Sequence, residues 1–305
     1  MNILTKSSKW ILAVFALLLT FPVLAQTDTQ NTQTDENNPL WMRYSAISPN
    51  GQNIAFCYKG DIYKVDANGG RASLLTLHDA YDVNPVWSPD GKMMAFASDR
   101  FGNHDIFLMN ADGGEPKRLT IHSSNDTPVA FSPDGKFVYF NAYRMPIKSD
   151  VAFPFGGFEQ LYKVAIDGKT RPEMVINEVT QKGNLNKAGN KLVYEDRKGY
   201  ENEWRKHHVS SVARDIWVYD MATKTHTQLT KNLEEDRNPV WVGDDVYFLS
   251  EKGGVDNDKV SMNIFKMSAS NPSVQTKVTT LKNHPVRFLS ASDDKTLCFG
   301  YNGEI

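Results

Sequence analysis

The sequence predicts an all-β fold: a β-propeller of four-stranded blades, with five complete blades and a truncated sixth. Three observations lead there. A Ser-Pro-Asp-Gly type of turn recurs, with Ser48, Ser88 and Ser132 standing 40 and 44 residues apart. Behind each turn comes an apolar strand, then a strand of the form Asp-Ile-aromatic, then a Gly-rich turn and a closing Leu-Thr. Four short strands per repeat of this length make one propeller blade, and no long segment carries helical periodicity.

The repeat begins only after a leader. Lys6 and Lys9 precede an apolar run, Trp10 to Leu19, too short to span a bilayer, and small residues follow at Val23 and Ala25. Residues 1–25 therefore read as a secretory signal peptide with cleavage after Ala25. Gln26, not Cys, follows the cut, which argues against a lipid anchor. Residues 26–38 hold no apolar side chain and are expected to form a disordered leader. The expected location is exported, periplasmic or extracellular. Removing Lys6 and Lys9 takes the formal charge from −2 to −4, and no basic run stands out, which speaks against a nucleic-acid partner.

From residue 39 to 305 the chain reads as propeller. In the turn Ser88-Pro89-Asp90-Gly91, proline presets φ at the first corner and glycine takes the left-handed position. The five complete blades are read at 41–76, 82–120, 126–176, 182–230 and 235–280. Val242-Gly243-Asp244-Asp245 stands in for the turn in the fifth. A sixth blade starts at Pro285 and reaches Gly303-Glu304-Ile305, which matches Gly60-Asp61-Ile62. That match suggests a stop in mid-blade and an N-terminal part of a longer protein. Trp87, Phe131 and Trp241 recur at one blade position and should pack between sheets. Cys57 and Cys298 both lie in apolar runs. Two buried thiols are the favoured reading, with a bridge left open by the oxidising compartment.

Sequence chemistry is sparse. G-x-S-x-G, H-E-x-x-H and G-x-x-x-x-G-K are absent. His207-His208 is the one histidine pair, and adjacent strand residues point to opposite faces. Asp99, Asn103 and Asp105 crowd one hairpin, where turn chemistry accounts for them. Neither a metal nor a cofactor is expected. Asp82, Asp126 and Asp236 each stand five residues before the recurring aromatic, leading into the innermost strand. Two readings compete for them: carboxylates at the channel mouth that attract a peptide's amino terminus, or structural groups bonded to a neighbouring blade. Two insertions, 145–158 and 195–214, interrupt the repeat. The second mixes Tyr200 and Trp204 with Arg205, Lys206, His207 and His208, a composition suited to contact with a following domain or a second subunit.

These residues carry a family likeness. W-S-P-D-G-K-M-M-A-F-A-S-D-R at Trp87 to Arg100, with D-I-F-L-M-N-A-D-G-G after it, resembles the repeats of TolB-like propellers, tricorn protease and prolyl-oligopeptidase relatives. N-P-L-W-M-R-Y at Asn38 to Tyr44 is similar to the start of exported tricorn-like serine peptidases, as are W-R-K-H-H at Trp204 to His208 and E-D-R-N-P-V-W at Glu235 to Trp241. The resemblance covers about residues 38–305. It implies a six-bladed propeller that leads into a seven-bladed one, a PDZ domain and a processing-type serine peptidase core. The propeller would guide or filter peptides, or unfolded protein segments, toward a nucleophile outside this chain, in a protein that could be a homo-oligomer. No catalytic position of that family falls within the chain. Two alternatives remain: a non-enzymatic TolB-like protein-binding propeller, and the propeller of a dipeptidyl-peptidase-like enzyme.

Overall fold

The computed structural model describes residues 40–144, 159–199, 209–253 and 261–305. They form consecutive antiparallel sheets, each built in chain order. The first blade is β1 (Arg43–Ile47), β2 (Asn53–Tyr58), β3 (Asp61–Asp66) and β4 (Ser73–Leu74). The second is β5 (Asp82–Trp87), β6 (Met93–Ser98), β7 (Asp105–Asn110) and β8 (Lys117–Arg118). The third is β9 (Asp126–Phe131), β10 (Phe137–Ala142), β11 (Gln160–Ala165) and β12 (Glu173–Ile176). The fourth is β13 (Gln181–Leu185), β14 (Lys191–Glu195), β15 (Ile216–Asp220) and β16 (Thr225–Gln228). The fifth is β17 (Asp236–Val242), β18 (Asp245–Ser250), β19 (Asn263–Ser268) and β20 (Asn271–Lys277). The sixth holds two strands, β21 (Arg287–Ala291) and β22 (Leu297–Gly300), and an isolated bridge from Tyr301 to Glu304 starts its next hairpin.

The recurring motifs are small hydrogen-bond devices. In the turn, Ser88 Oγ donates to Asp90 Oδ1 (2.6 Å) and accepts from Met93 N (2.9 Å), while Gly91 sits at φ 69°. Ser132 and Asp134 repeat this in the third blade, and Ser292 with Asp294 in the sixth. The serine hydroxyl holds the carboxyls of Asp90, Asp134 and Asp294 below the usual range. Asn186 replaces serine in the fourth blade, its Oδ1 accepting from Lys191 N (3.0 Å). The Asp-Ile and Leu-Thr signatures meet at the other end of the blade. Thr76 Oγ1 accepts from Ile62 N (2.9 Å) and donates to Asp61 Oδ1 (3.2 Å). The same triad ties Asp105, Ile106 and Thr120, and again Asp215, Ile216 and Thr230. The outer strand is thereby fastened to the third strand by a side chain as well as by the ladder.

Blades are joined by apolar layers. Ala55, Cys57 and Ile62 of the first blade pack on Val83, Met94, Phe96 and Phe107 of the second. Equivalent layers lie between the second and third, third and fourth, fourth and fifth, and fifth and sixth blades. Closure between the sixth and first blades relies on polar contacts. Ser45 Oγ donates to Phe288 O (3.1 Å), Ile47 N to Ser290 Oγ (3.1 Å), and Asp293 N to Pro49 O (2.9 Å). The rings of Tyr44 and Phe288 meet there at 5.0 Å between centroids. Cys57 and Cys298 are both buried free thiols.

One bond recurs around the ring. At five junctions the residue that opens or immediately precedes an inner strand donates its N–H to a carbonyl just before the third strand of the neighbouring blade. The pairs are Asp82 with Gly60 (2.8 Å), Asp126 with His104 (2.7 Å), Asp236 with Arg214 (3.0 Å) and Val286 with Met262 (2.9 Å). Met42 N donating to Gly303 O (2.9 Å) closes the ring in the same way.

The recurring aromatics do pack between sheets. Phe131 is buried, and half-buried Trp87 lies on the core shared by the first two blades. Trp87 Nε1 also donates to Ala46 O across the junction at 2.8 Å. Trp87→Ala is expected to cost about 3 kcal/mol, the lower end for a large core truncation. Trp87→Phe, which keeps the ring and drops the hydrogen bond, should cost about 1 kcal/mol. Urea titrations of the two variants check this: equal losses would place the stabilisation in the hydrogen bond, and an unchanged Trp87→Phe would place it in packing alone.

Candidate functional site

Every inner strand carries a one-residue bulge at the same height. In the second blade Val83 faces Ala97 and Val86 faces Ala95, so the inner strand holds one extra residue. Corresponding shifts occur in the other five inner strands. Five of them place a residue in the left-handed region: Tyr44 (φ 54°), Asn84 (53°), Lys182 (48°), Asn238 (46°) and Phe288 (54°). Such a conformation costs about 1 kcal/mol for a residue with a Cβ, and asparagine bears it best. In the third blade Pro128 stands at this position, and its ring forbids positive φ. There Pro128 stays paired with Phe140 and the extra residue is Val129. The bulges turn the inner strands so that their backbone and side chains surround one axis.

That axis is a cavity of about 980 Å3 lined by residues of all six blades. The first and second blades present Tyr44, Asn84, Pro85 and Val86, without a charged side chain. Basic residues crowd the other side: Lys182, Arg197, Arg214, Arg237 and Arg287. Behind them lies a buried network. Glu195 Oε1 is 3.6 Å from both Arg214 Nε and Arg237 Nη2, and Arg214 Nη1 is 3.4 Å from Glu235 Oε2. Glu195 Oε2 also accepts from Asn238 N (2.7 Å), which holds the left-handed residue of β17 in place. Asn238 in turn clamps the next inner strand, donating to Leu289 O and accepting from Leu289 N, both at 3.0 Å. Glu159 completes the wall on the third blade. It accepts from Gln181 Nε2 at 3.3 Å, and burial pushes its carboxyl up. Arg197 Nη1 donates to Tyr143 OH nearby (2.9 Å).

Asp82, Asp126 and Asp236 occupy one repeat position, but all three are fully buried and none lines the cavity. Asp82 Oδ2 pairs with Arg100 Nη2 at 2.7 Å, and Asp126 Oδ2 with Arg144 Nη2 at 2.5 Å. Each guanidinium also lies over two rings of its own blade, Phe96 and Phe107 for Arg100, Phe140 and Tyr162 for Arg144. The carboxylates are thus closed off from a peptide's amino group by their own partners. In the fifth blade the cation at this place is Lys252, and it donates instead to Gln275 Oε1 (2.8 Å). Asp236 Oδ2 accepts from Asn232 Nδ2 at 2.6 Å, and burial pushes its carboxyl up to about 7 against the opposing pull of the Ser250 and Thr230 hydroxyls and Asn232.

Trp204, Arg205, His207 and His208, with the insertion 145–158, lie outside the described residues. Asp99, Asn103 and Asp105 are each engaged in the hairpin and its neighbours, with Tyr81 N, Ser124 O and Arg118. Among the described residues no cluster of three metal-ligating side chains stands together. The basic wall went unnoticed in the sequence, although one signal for it was present. Arg237 and Arg287 stand at equivalent repeat positions, one residue before the left-handed bulge residue.

Asp236 gives a pH test. Its carboxyl is raised in the folded chain, so the folded state holds a proton that the unfolded state releases near pH 3.8. The resulting stabilisation is complete below that pH and is lost as pH rises toward about 7. Asp236→Asn keeps an acceptor for Asn232 without the charge. Its stability relative to the parent should grow across this window in denaturant titrations, and a pH-independent difference would contradict the burial argument.

Comparison with known proteins follows from this geometry. Residues 39–305 match the model of the tricorn protease N-terminal beta propeller domain. A search of curated proteins gives no match. Among solved structures, tricorn protease superposes with a TM-score of 0.70 at 21% identity, over 87% of this chain and 25% of that one. A putative TolB from Agrobacterium tumefaciens gives 0.67 at 18% identity, covering 87% of this chain and 91% of that one. A puromycin-hydrolyzing peptidase of Mycobacterium tuberculosis gives 0.54 at 14% identity, over 79% and 38% of the two chains. The chain thus spans about a quarter of the tricorn protease it superposes on, and identities this low speak for the fold. With the family model matched across the whole ring of blades, the chain belongs to the tricorn protease N-terminal β-propeller family.

Proposed function

We propose that this propeller guides or filters peptide substrates through its axial cavity toward the catalytic part of an exported tricorn-like serine peptidase. One observation carries the reading: a cavity of about 980 Å3 on the axis, walled by inner strands from every blade and rigidly held by their bulges. A bore of this size suits an extended or turned peptide and excludes a folded domain. Family membership supports a peptidase context. The leader of residues 1–25 supports export.

A second reading, a TolB-like protein-binding propeller, draws on a different surface. Loops joining second to third strands, and one blade to the next, all open on one face. Leu77, Tyr81, Phe101, Ile121, Val209 and Leu233 are exposed in those loops. Apolar side chains gathered on one face suit a protein contact.

The two readings separate by where a ligand binds. Thr127 lines the cavity, and Lys169 lies exposed away from it, while Cys57 and Cys298 are buried from thiol reagents. Thr127→Cys labelled with a bulky maleimide should abolish binding of an unstructured octapeptide in calorimetric titrations. Lys169→Cys, labelled identically, should leave it intact. Undiminished binding to the labelled Thr127→Cys protein would rule out the axial route.

A further inference from the structure

The cavity wall is divided by charge in a way the whole chain is not. The protein carries 34 Lys and Arg against 36 Asp and Glu. Lining the cavity are seven cations, Lys182, Lys187, Arg197, Arg214, Arg237, Arg287 and Lys295, against three carboxylates, Glu159, Glu195 and Asp293. All seven cations belong to the fourth, fifth and sixth blades, whereas the first two blades contribute no charge. Coulomb fields in a cleft with low-dielectric walls reinforce one another, so the excess acts on whatever enters.

The few carboxylates are already engaged. Glu195 faces Arg214 and Arg237 and accepts from Asn238 N. Asp293 is held by Lys187 Nζ at 2.9 Å. Glu159 is buried among Tyr143 and Gln181, where its ionised form is disfavoured. Donors on the same wall are in surplus. Arg214 is already paired with Glu195 and Glu235, but Trp241 Nε1 on the same wall is a buried donor without an acceptor. A buried donor without an acceptor costs stability that an incoming anion would recover. On the neighbouring third blade, Asn141 Oδ1 is an acceptor without a hydrogen-bond partner, suited to a peptide N–H.

We propose that the axial cavity selects peptides bearing carboxylates and holds those carboxylates against the basic wall of the fourth to sixth blades. The proposal rests on the axial peptide route and names its substrate class: acidic peptides, engaged through Asp and Glu side chains or through a free C-terminus. An extended acidic peptide would lie with its charges toward Lys182 and Arg287 and its backbone toward the neutral wall of Asn84 and Thr127.

The test titrates the full chain with three acetylated hexapeptides by calorimetry: alternating alanine with glutamate, with glutamine and with lysine. Each is used as its amide and as its free acid. The glutamate peptide should bind at least tenfold more tightly than the lysine peptide. The advantage should fade as salt rises and the screening length drops from ~10 Å at 0.1 M to ~3 Å at 1 M. Lys182 is exposed to the cavity and absent from the buried network, so Lys182→Gln leaves the fold intact. This variant should weaken the glutamate peptide about fivefold, the size of one partly exposed charge pair, without affecting the glutamine peptide. Lys182→Arg should restore it. Tight binding of the amide assigns the effect to side chains, and tight binding of the free acids alone assigns it to the C-terminus; both support the proposal. Equal binding of all six peptides, amides and free acids alike, or no response to Lys182→Gln, overturns it while leaving the axial route standing. Tighter binding of an oligothymidylate than of the glutamate peptide also overturns it, in favour of a general polyanion site. Failure of every peptide to bind removes the axial route itself and the proposal with it.

Discussion

A single main-chain hydrogen bond at the foot of five of the six inner strands sets the geometry of this propeller. The donor opens or immediately precedes the inner strand, and the acceptor is a carbonyl just before the third strand one blade back. Each such bond contributes only about 1 kcal/mol, but its position is what matters. It fixes how far one inner strand can slide along its neighbour, so the bulges of successive blades come to the same height. Where the bond runs from Met42 to Gly303, it also joins the sixth blade to the first. Polar contacts from Ser45, Ile47 and Asp293 lie beside it.

With the inner strands in register, the bulges decide what faces the axis. Left-handed residues at Tyr44, Asn84, Lys182, Asn238 and Phe288 are unfavourable alone and persist because neighbouring blades hold them. Asn238 shows how: Glu195 takes its N–H, and its own amide grips Leu289 on the next blade. Pro128 shows that the bulge, and not the left-handed residue, is the requirement. The third blade keeps the extra residue while its proline keeps negative φ.

Charge is sorted radially by the same frame. Asp82 and Asp126 sit behind the wall, neutralised by arginines that are themselves stacked on rings. Burying a carboxylate is costly: burial raises the carboxyl of Asp126 even beside Arg144, and it raises that of Asp236, whose Lys252 reaches Gln275 instead, to about 7. Cations outnumber carboxylates along the axis. Asp82, Asp126 and Asp236 thus lie behind a lining that is basic.

The sequence alone determined the repeat, and with it the blades and their order. Ser-Pro-Asp-Gly, Asp-Ile and Leu-Thr are local devices, closed by hydrogen bonds spanning at most about one hairpin, so their spacing is visible in one dimension. The recurrence of Asp82, Asp126 and Asp236 was equally visible, but not the side to which those carboxylates turn. Pairing with Arg100 and Arg144 depends on how the loop after the second strand folds back over its own blade. The basic wall was less legible still. Its members come from three blades and from strands and loops alike, and only the bulges bring Lys182, Arg237 and Arg287 to one side of one cavity. A bulge shifts strand register by one residue and so reverses which side chains face inward. That reversal arises from contacts between blades far apart in the chain, which is why the composition of the axis was left to the tertiary structure.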